Sequence, residues 1–193
     1  MAYHIILEYI TAGFRQLGTA FTTDIGIWWL LTPIFLLWIV MEIYAGEYKQ
    51  ERFGFSSALA NGFSLFWISL TSFRVFLFID KTYLNKEAYS DPRLYILALF
   101  VLYALFIMYA AFTHTMRTSL TKIIAGPALI YSFSVLSVLW GQRLLVVNTS
   151  ILSALVISFI IIVFIFFIIR RQLGVRGDVE HILELGKDDH AQE

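Results

Sequence analysis

Three polar side chains stand at similar depth near one end of otherwise apolar stretches of the chain. They are Glu42, Asn61 and His114. A carboxylate, an amide and an imidazole that converge in a membrane could bind a cation or relay a proton, because histidine changes charge near neutral pH. The alternative interpretation is three boundary residues that face lipid headgroups. If the three form an ion site, Glu42→Gln should abolish ion flux while the fold survives.

A second polar set lies along residues 55–79. Four of its members share about 80° of arc on a helix, namely Ser57, Asn61, Ser64 and Ser72. Such a stripe can line a hydrophilic path across a membrane. In the same stretch Ala58 and Gly62 have the small-residue spacing that lets two helices approach closely. The sequence leaves both interpretations open, an ion path and helix packing.

Arg74 is a charged residue within the same apolar stretch. It lies about five residues, roughly 7 Å, from the end of the predicted helix, so its long side chain can reach the headgroups. The alternative is an ion pair with an acidic group at the same level, for which Asp24, Asp80 and Asp91 are the candidates.

A ladder of small residues occurs near the end of the apolar sequence. Ser150, Ala154 and Ser158 follow one another at intervals of four residues. This spacing is typical of a helix face that packs closely against a neighbouring helix.

Several chemistries have no support in the residues. The chain has no cysteine, so it has neither disulfides nor thiolate ligands. It has no zinc-protease, nucleophile-elbow or phosphate-loop motif, and one histidine in a span supplies only half of a haem ligand pair. The net charge of zero gives no attraction to nucleic acid. We therefore predict no cofactor, no metal, no nucleic-acid partner and no enzymatic activity.

The elements that must position these residues are membrane helices. Of the 193 residues, 59% are hydrophobic and 15% charged, with a mean hydropathy of +0.76. About 20 apolar residues in a helix cross a bilayer. Five stretches meet this requirement, residues 25–46, 55–79, 94–116, 120–141 and 144–169. The fold class is thus all-α and polytopic, with a transmembrane domain over residues 24–169 whose last two helices form an antiparallel hairpin.

Residues 1–23 have an amphipathic pattern. Their apolar members fall within about 120° of arc, and are Tyr3, Ile6, Leu7, Ile10, Phe14, Leu17 and Phe21. A helix of this kind lies in the membrane interface, although a sixth span is the alternative. Residues 170–193 are a short charged tail.

Lysine and arginine are unevenly divided between the two sets of alternate loops. One set holds Lys49, Arg52, Arg117, Lys122, Arg170, Arg171, Arg176 and Lys187, and the other holds Arg15, Lys81, Lys86, Arg93 and Arg143. The richer set faces the cytoplasm. We therefore expect a cytoplasmic carboxyl terminus and an amino terminus on the other side of the membrane.

These observations predict an integral membrane protein among membrane lipids. The first functional hypothesis is a small transporter or ion channel that acts as a homo-oligomer. The alternative is a non-catalytic subunit or scaffold that assembles with partner membrane subunits. A lipid-active enzyme that uses Glu42 and His114 is the third.

Overall fold

The computed structural model describes residues 2–47, 55–78 and 89–189, and all regular secondary structure in these ranges is helical. The helices are α1 (Ala2–Thr23), α2 (Ile27–Glu47), α3 (Phe55–Phe78), α4 (Pro92–Phe112), α5 (Thr118–Ile124), α6 (Pro127–Gly141) and α7 (Thr149–Asp189). The all-α prediction is confirmed. Lys49, Lys81, Lys86 and Asp80 lie outside the described residues.

Three helices are long and apolar enough to cross a membrane: α3, α4 and the Thr149–Ile169 part of α7. A fourth span results if α1 and α2, which are bent by 109° at their junction, are counted together. The apolar helix α6 is shorter, at 15 residues. Large apolar side chains such as Trp67, Leu102 and Phe164 point outward, as they do in a bundle surrounded by lipid. These features indicate an integral membrane protein.

The corner between α1 and α2 is fixed by local hydrogen bonds. The backbone N–H of Gly26 donates to Asp24 Oδ1 at 2.8 Å, and the indole N–H of Trp28 donates to the carbonyl of Phe21 at 2.9 Å. A side chain that accepts a backbone N–H two residues on is a common device for turning a chain. The amphipathic α1 consequently leaves α2 at a steep angle.

Helix α1 crosses the beginning of α7. Ser150 Oγ donates to the carbonyl of Tyr9 at 2.6 Å, and Asn148 Nδ2 donates to Gln16 Oε1 at 3.2 Å. Gly13 lies so close that a Cβ added to it would be 2.2 Å from the carbonyl oxygen of Ser150. The first and last helices of the described chain are therefore in backbone contact.

The predicted helix over residues 120–141 is two helices. Helix α5 ends at Ile124 and α6 begins at Pro127, with Gly126 as its N-cap. Proline has no N–H and is favoured in the first turn of a helix, so it starts α6 instead of continuing α5.

The predicted hairpin of the last two helices is also different in the structure. Helix α2 packs against both α6 and α7, whereas α6 and α7 make few direct contacts; α3 packs against α4 and α6. Helix α7 continues through the predicted boundary at residue 170 as far as Asp189. The change to charged residues marks the end of the apolar sequence, but no proline follows to end the helix.

Candidate functional site

Glu42 and His114 occupy very different environments. Glu42 is 0% exposed, and the indole N–H of Trp38 donates to its Oε1 at 3.3 Å. His114 is exposed in a left-handed turn (φ 53°) after α4. Its ring packs on Phe55 at 4.2 Å between centroids. The imidazole thus lies at the surface and the carboxylate inside the bundle.

Asn61 fills a gap in the backbone hydrogen bonding at the break between α5 and α6. Its Nδ2 donates to the carbonyl of Ala125 at 2.9 Å, and the hydroxyl of Tyr103 donates to the carbonyl of Ile124 at 2.6 Å. The last carbonyls of a helix have no partner within that helix. Two side chains from α3 and α4 therefore supply these bonds. Sequence analysis missed Tyr103 because its partner is distant in the chain.

The three ion-site candidates are not joined to one another. Helix α2, which carries Glu42, packs on α6 and α7, while α3 packs on α4 and α6. Within the described ranges, no hydrogen bond links Asn61 or His114 to Glu42. A cation site or a catalytic pair formed by these residues has no support in the contacts.

The serine stripe of α3 faces helix α6. Ser64 donates to the carbonyl of Ala60 at 3.0 Å within its own helix. Ser69 and Ser137 share a hydrogen bond of 2.9 Å between α3 and α6. Ser72 lies against Gly141, where an added Cβ would be 2.7 Å from the Cβ of Ser72. The stripe lies in a close helix contact.

The predicted small-residue pair of α3 lies on the side of α4. Ala58 is fully buried, and a Cβ added to Gly62 would be 3.0 Å from Met108 of α4. In the ladder of α7, Ser150 and Ala154 contact α1 near Gly13. Ser158, one turn farther along, lines a cavity.

The charged groups near the end of α3 are arranged around Phe76. Arg143 Nη2 donates to the carbonyl of Phe76 at 3.3 Å, and the guanidinium carbon lies 4.6 Å from the centre of its ring. Asp91 pairs with Arg93, whose Nε donates to Oδ1 at 3.0 Å. This hydrogen bond holds the pKa of Asp91 below its ordinary value, although desolvation acts in the opposite direction. Arg74 is exposed and makes no hydrogen bond or ion pair with the described residues.

A large apolar cavity lies between α6 and α7, and sequence analysis gave no sign of it. Its volume is about 640 Å³. Its walls come from α6 between Leu129 and Trp140 and from α7 between Leu152 and Ile162. The other helices contribute Leu17, Phe21, Phe35, Trp38, Ile96 and Phe100. Because α6 and α7 touch only slightly, the space between them stays open.

Four residues with polar side-chain atoms line this apolar cavity. The hydroxyl of Ser132 donates to the carbonyl of Ala128 at 2.7 Å, and the indole of Trp38 donates to Glu42. Ser158 makes no hydrogen bond with the described residues. The indole N–H of Trp140 is buried and has no acceptor among them.

Comparison of the chain with known protein families, with curated proteins and with solved structures finds no match. In the part of the chain that the structure describes, no group of three or more His, Asp or Glu residues could hold a metal ion. The apolar cavity is accordingly the candidate functional site.

Proposed function

We propose that this protein is a small integral membrane transport protein whose cargo is an apolar molecule taken from the bilayer. The apolar cavity carries this proposal. Its volume of about 640 Å³ lies within the range of about 300–1,000 Å³ that is usual for small-molecule sites. An ion would lose its hydration in these apolar walls without compensation, whereas a hydrocarbon chain would lose nothing.

The proposed arrangement has α2, α3, α4, α6 and α7 crossing the membrane and α1 lying in the interface. The amphipathic pattern of α1 and its bend of 109° relative to α2 support this arrangement. The distribution of Lys and Arg favours a cytoplasmic carboxyl terminus. In this arrangement Trp140 and the α1/α2 corner lie near the opposite interface. The membrane part of α7 is mostly uncovered, which supports contact with lipid or with a second copy in a homo-oligomer.

Binding of a plain hydrocarbon tests the cavity. The purified protein in detergent should bind radiolabelled octadecane saturably, one molecule per chain. Ser158→Leu places a larger side chain in the cavity wall and should weaken binding at least tenfold without lowering the melting temperature. Val163→Leu, on the exposed side of the same helix, is the matched control and should bind normally. Non-saturable binding, or equal binding by both variants, would refute the proposal.

Movement of a lipid tests transport itself. Proteoliposomes should move a chain-labelled phospholipid between leaflets faster than protein-free vesicles, and Ser158→Leu should remove the gain. A rate equal to that of empty vesicles would leave a binding protein without transport activity.

Ion flux distinguishes this cargo from the other one that the sequence predicted. We expect wild-type and Glu42→Gln proteoliposomes to be no more permeable to cations than empty vesicles, because Asn61 and His114 bond to other groups. Flux that is present in the wild type and lost in Glu42→Gln would restore the ion site.

A second candidate function is a non-catalytic subunit of a larger membrane assembly. Helix α7 favours it, since the helix continues about 30 Å beyond Ile169, at 1.5 Å per residue, to Asp189. Such an extension is long enough to contact another protein. The mass of the complex in mild detergent decides between the two: a multiple of 22.2 kDa contradicts the subunit, and an unequal partner supports it.

A further inference from the structure

The side chain of Trp140 combines deep burial with an unused hydrogen-bond donor. The residue is 3% exposed and lines the apolar cavity near the end of α6. Its indole N–H has no acceptor among the described residues. Buried donors in folded proteins nearly always have a partner, because an unpaired one keeps the full cost of its desolvation. A molecule held in the cavity could supply the missing acceptor.

The other indole of the cavity lacks this property. The N–H of Trp38 is already bonded to Glu42, so only its ring is available to a ligand. Ser132 likewise uses its hydroxyl proton within its own helix. The apolar cavity therefore has a donor at the Trp140 end, while Ser158 provides a second hydroxyl deeper in the wall.

The apolar cavity is elongated along the helices. The lining residues Leu129 and Trp140 of α6 are separated by about 16 Å, and Leu152 and Ile162 of α7 by about 15 Å, at 1.5 Å per residue. A space that is long, narrow and apolar, with one donor near its end, matches a hydrocarbon chain that carries one acceptor at its head.

We infer that the apolar cavity holds one ester-linked acyl chain of a membrane glycerolipid, whose ester carbonyl accepts a hydrogen bond from Trp140 Nε1. The chain runs from Trp140 towards Trp38 and Ile162. This inference rests on the proposed function, in that the cavity must bind an apolar molecule.

The acceptor is neutral for a physical reason. Apolar residues form the walls, and an ionised carboxylate or phosphate buried there would require compensating charge that the lining residues do not provide. An ester carbonyl accepts a hydrogen bond without carrying charge. Its level in a bilayer, at the boundary of the hydrocarbon, also corresponds to the position of Trp140 one residue before the end of α6.

Two probes with the same chain length test the inference, octadecane and methyl octadecanoate. The wild-type protein should bind the ester about tenfold more tightly than the alkane, as expected for one hydrogen bond to a buried donor. Trp140→Phe keeps a ring but removes the N–H, so it should abolish the preference while alkane binding is retained. Ser158→Ala removes the other hydroxyl and should keep the preference.

The outcomes separate the inference from the proposed function. Saturable octadecane binding without an ester preference would overturn the inference and leave the function intact, whereas no octadecane binding would overturn both. A preference that survives in Trp140→Phe, or that disappears in Ser158→Ala, would overturn the role of Trp140. Tighter binding of ionised octadecanoate than of the ester would overturn the neutral acceptor. If Trp140→Phe does not fold, a downfield shift of one indole N–H resonance on adding ester to the wild type, but not on adding alkane, replaces it.

Discussion

Asn61 supplies a hydrogen bond that the main chain cannot make at the break between α5 and α6. Together with Tyr103 it satisfies two consecutive carbonyls inside an apolar bundle, where no water is at hand to replace them. A polar residue within a membrane helix is by default a functional candidate. Here the side chain stabilises the shape of a neighbouring segment, and its role in any transport path is secondary.

Replacing Asn61 tests this role. Asn61→Leu should lower the free energy of unfolding by about 1–3 kcal/mol, because the carbonyl of Ala125 would be left buried without a donor. Ser64→Ala is the control on the same helix, since Ser64 bonds only to its own turn, and should change stability by less than about 0.5 kcal/mol. Thermal unfolding in one detergent measures both. Equal stability of the two variants would mean that the Ala125 carbonyl finds another donor.

At the scale of the helices, the sequence predicted the apolar segments well and their junctions poorly. The apolar runs place α3 and α4 within a few residues of their positions in the structure. The break before Pro127 was expected only as a kink. The roles of Asn61 and Trp140 could not be deduced, because both depend on partners brought close by tertiary packing. Periodicity shows which face of a helix is apolar but not which helix will cover it.

The contact of α1 with α7 gives a prediction at this scale. Gly13→Ala should destabilise the fold by about 1–3 kcal/mol, because the new methyl group would overlap the Ser150 carbonyl. Gly18→Ala is a matched control on the same helix: nothing lies within 4 Å of the added Cβ. It should stabilise the helix by about 0.5–1 kcal/mol. Melting temperatures that change in the same direction would contradict the close approach of α1 and α7.

For the whole molecule, composition was enough to predict a helical membrane protein, but not the cavity. The cavity depends on how far apart α6 and α7 stand, which is decided by α1 and α2 packing against them. Orientation also belongs to this scale, because it depends on charges summed over all the loops.

Labelling of single cysteines tests the proposed orientation in a chain that has none of its own. Ile25→Cys at the corner of α1 and α2 should react with an impermeant maleimide in intact cells. Thr115→Cys after α4 should react only after the membrane is opened. Both residues are exposed, so burial would not explain a difference. The reverse pattern would invert the protein in the membrane.

The seat of α1 on α7 also has a consequence for biosynthesis. Tyr9 and Ser150, which are hydrogen-bonded, are 141 positions apart in the chain. At about 5–20 residues per second, a ribosome adds this length in roughly ten seconds. During that time the amino-terminal helix has emerged while its docking partner does not yet exist, and its apolar face must rest on lipid or on a chaperone. The order of translation thus makes the first helix made the last one to be secured.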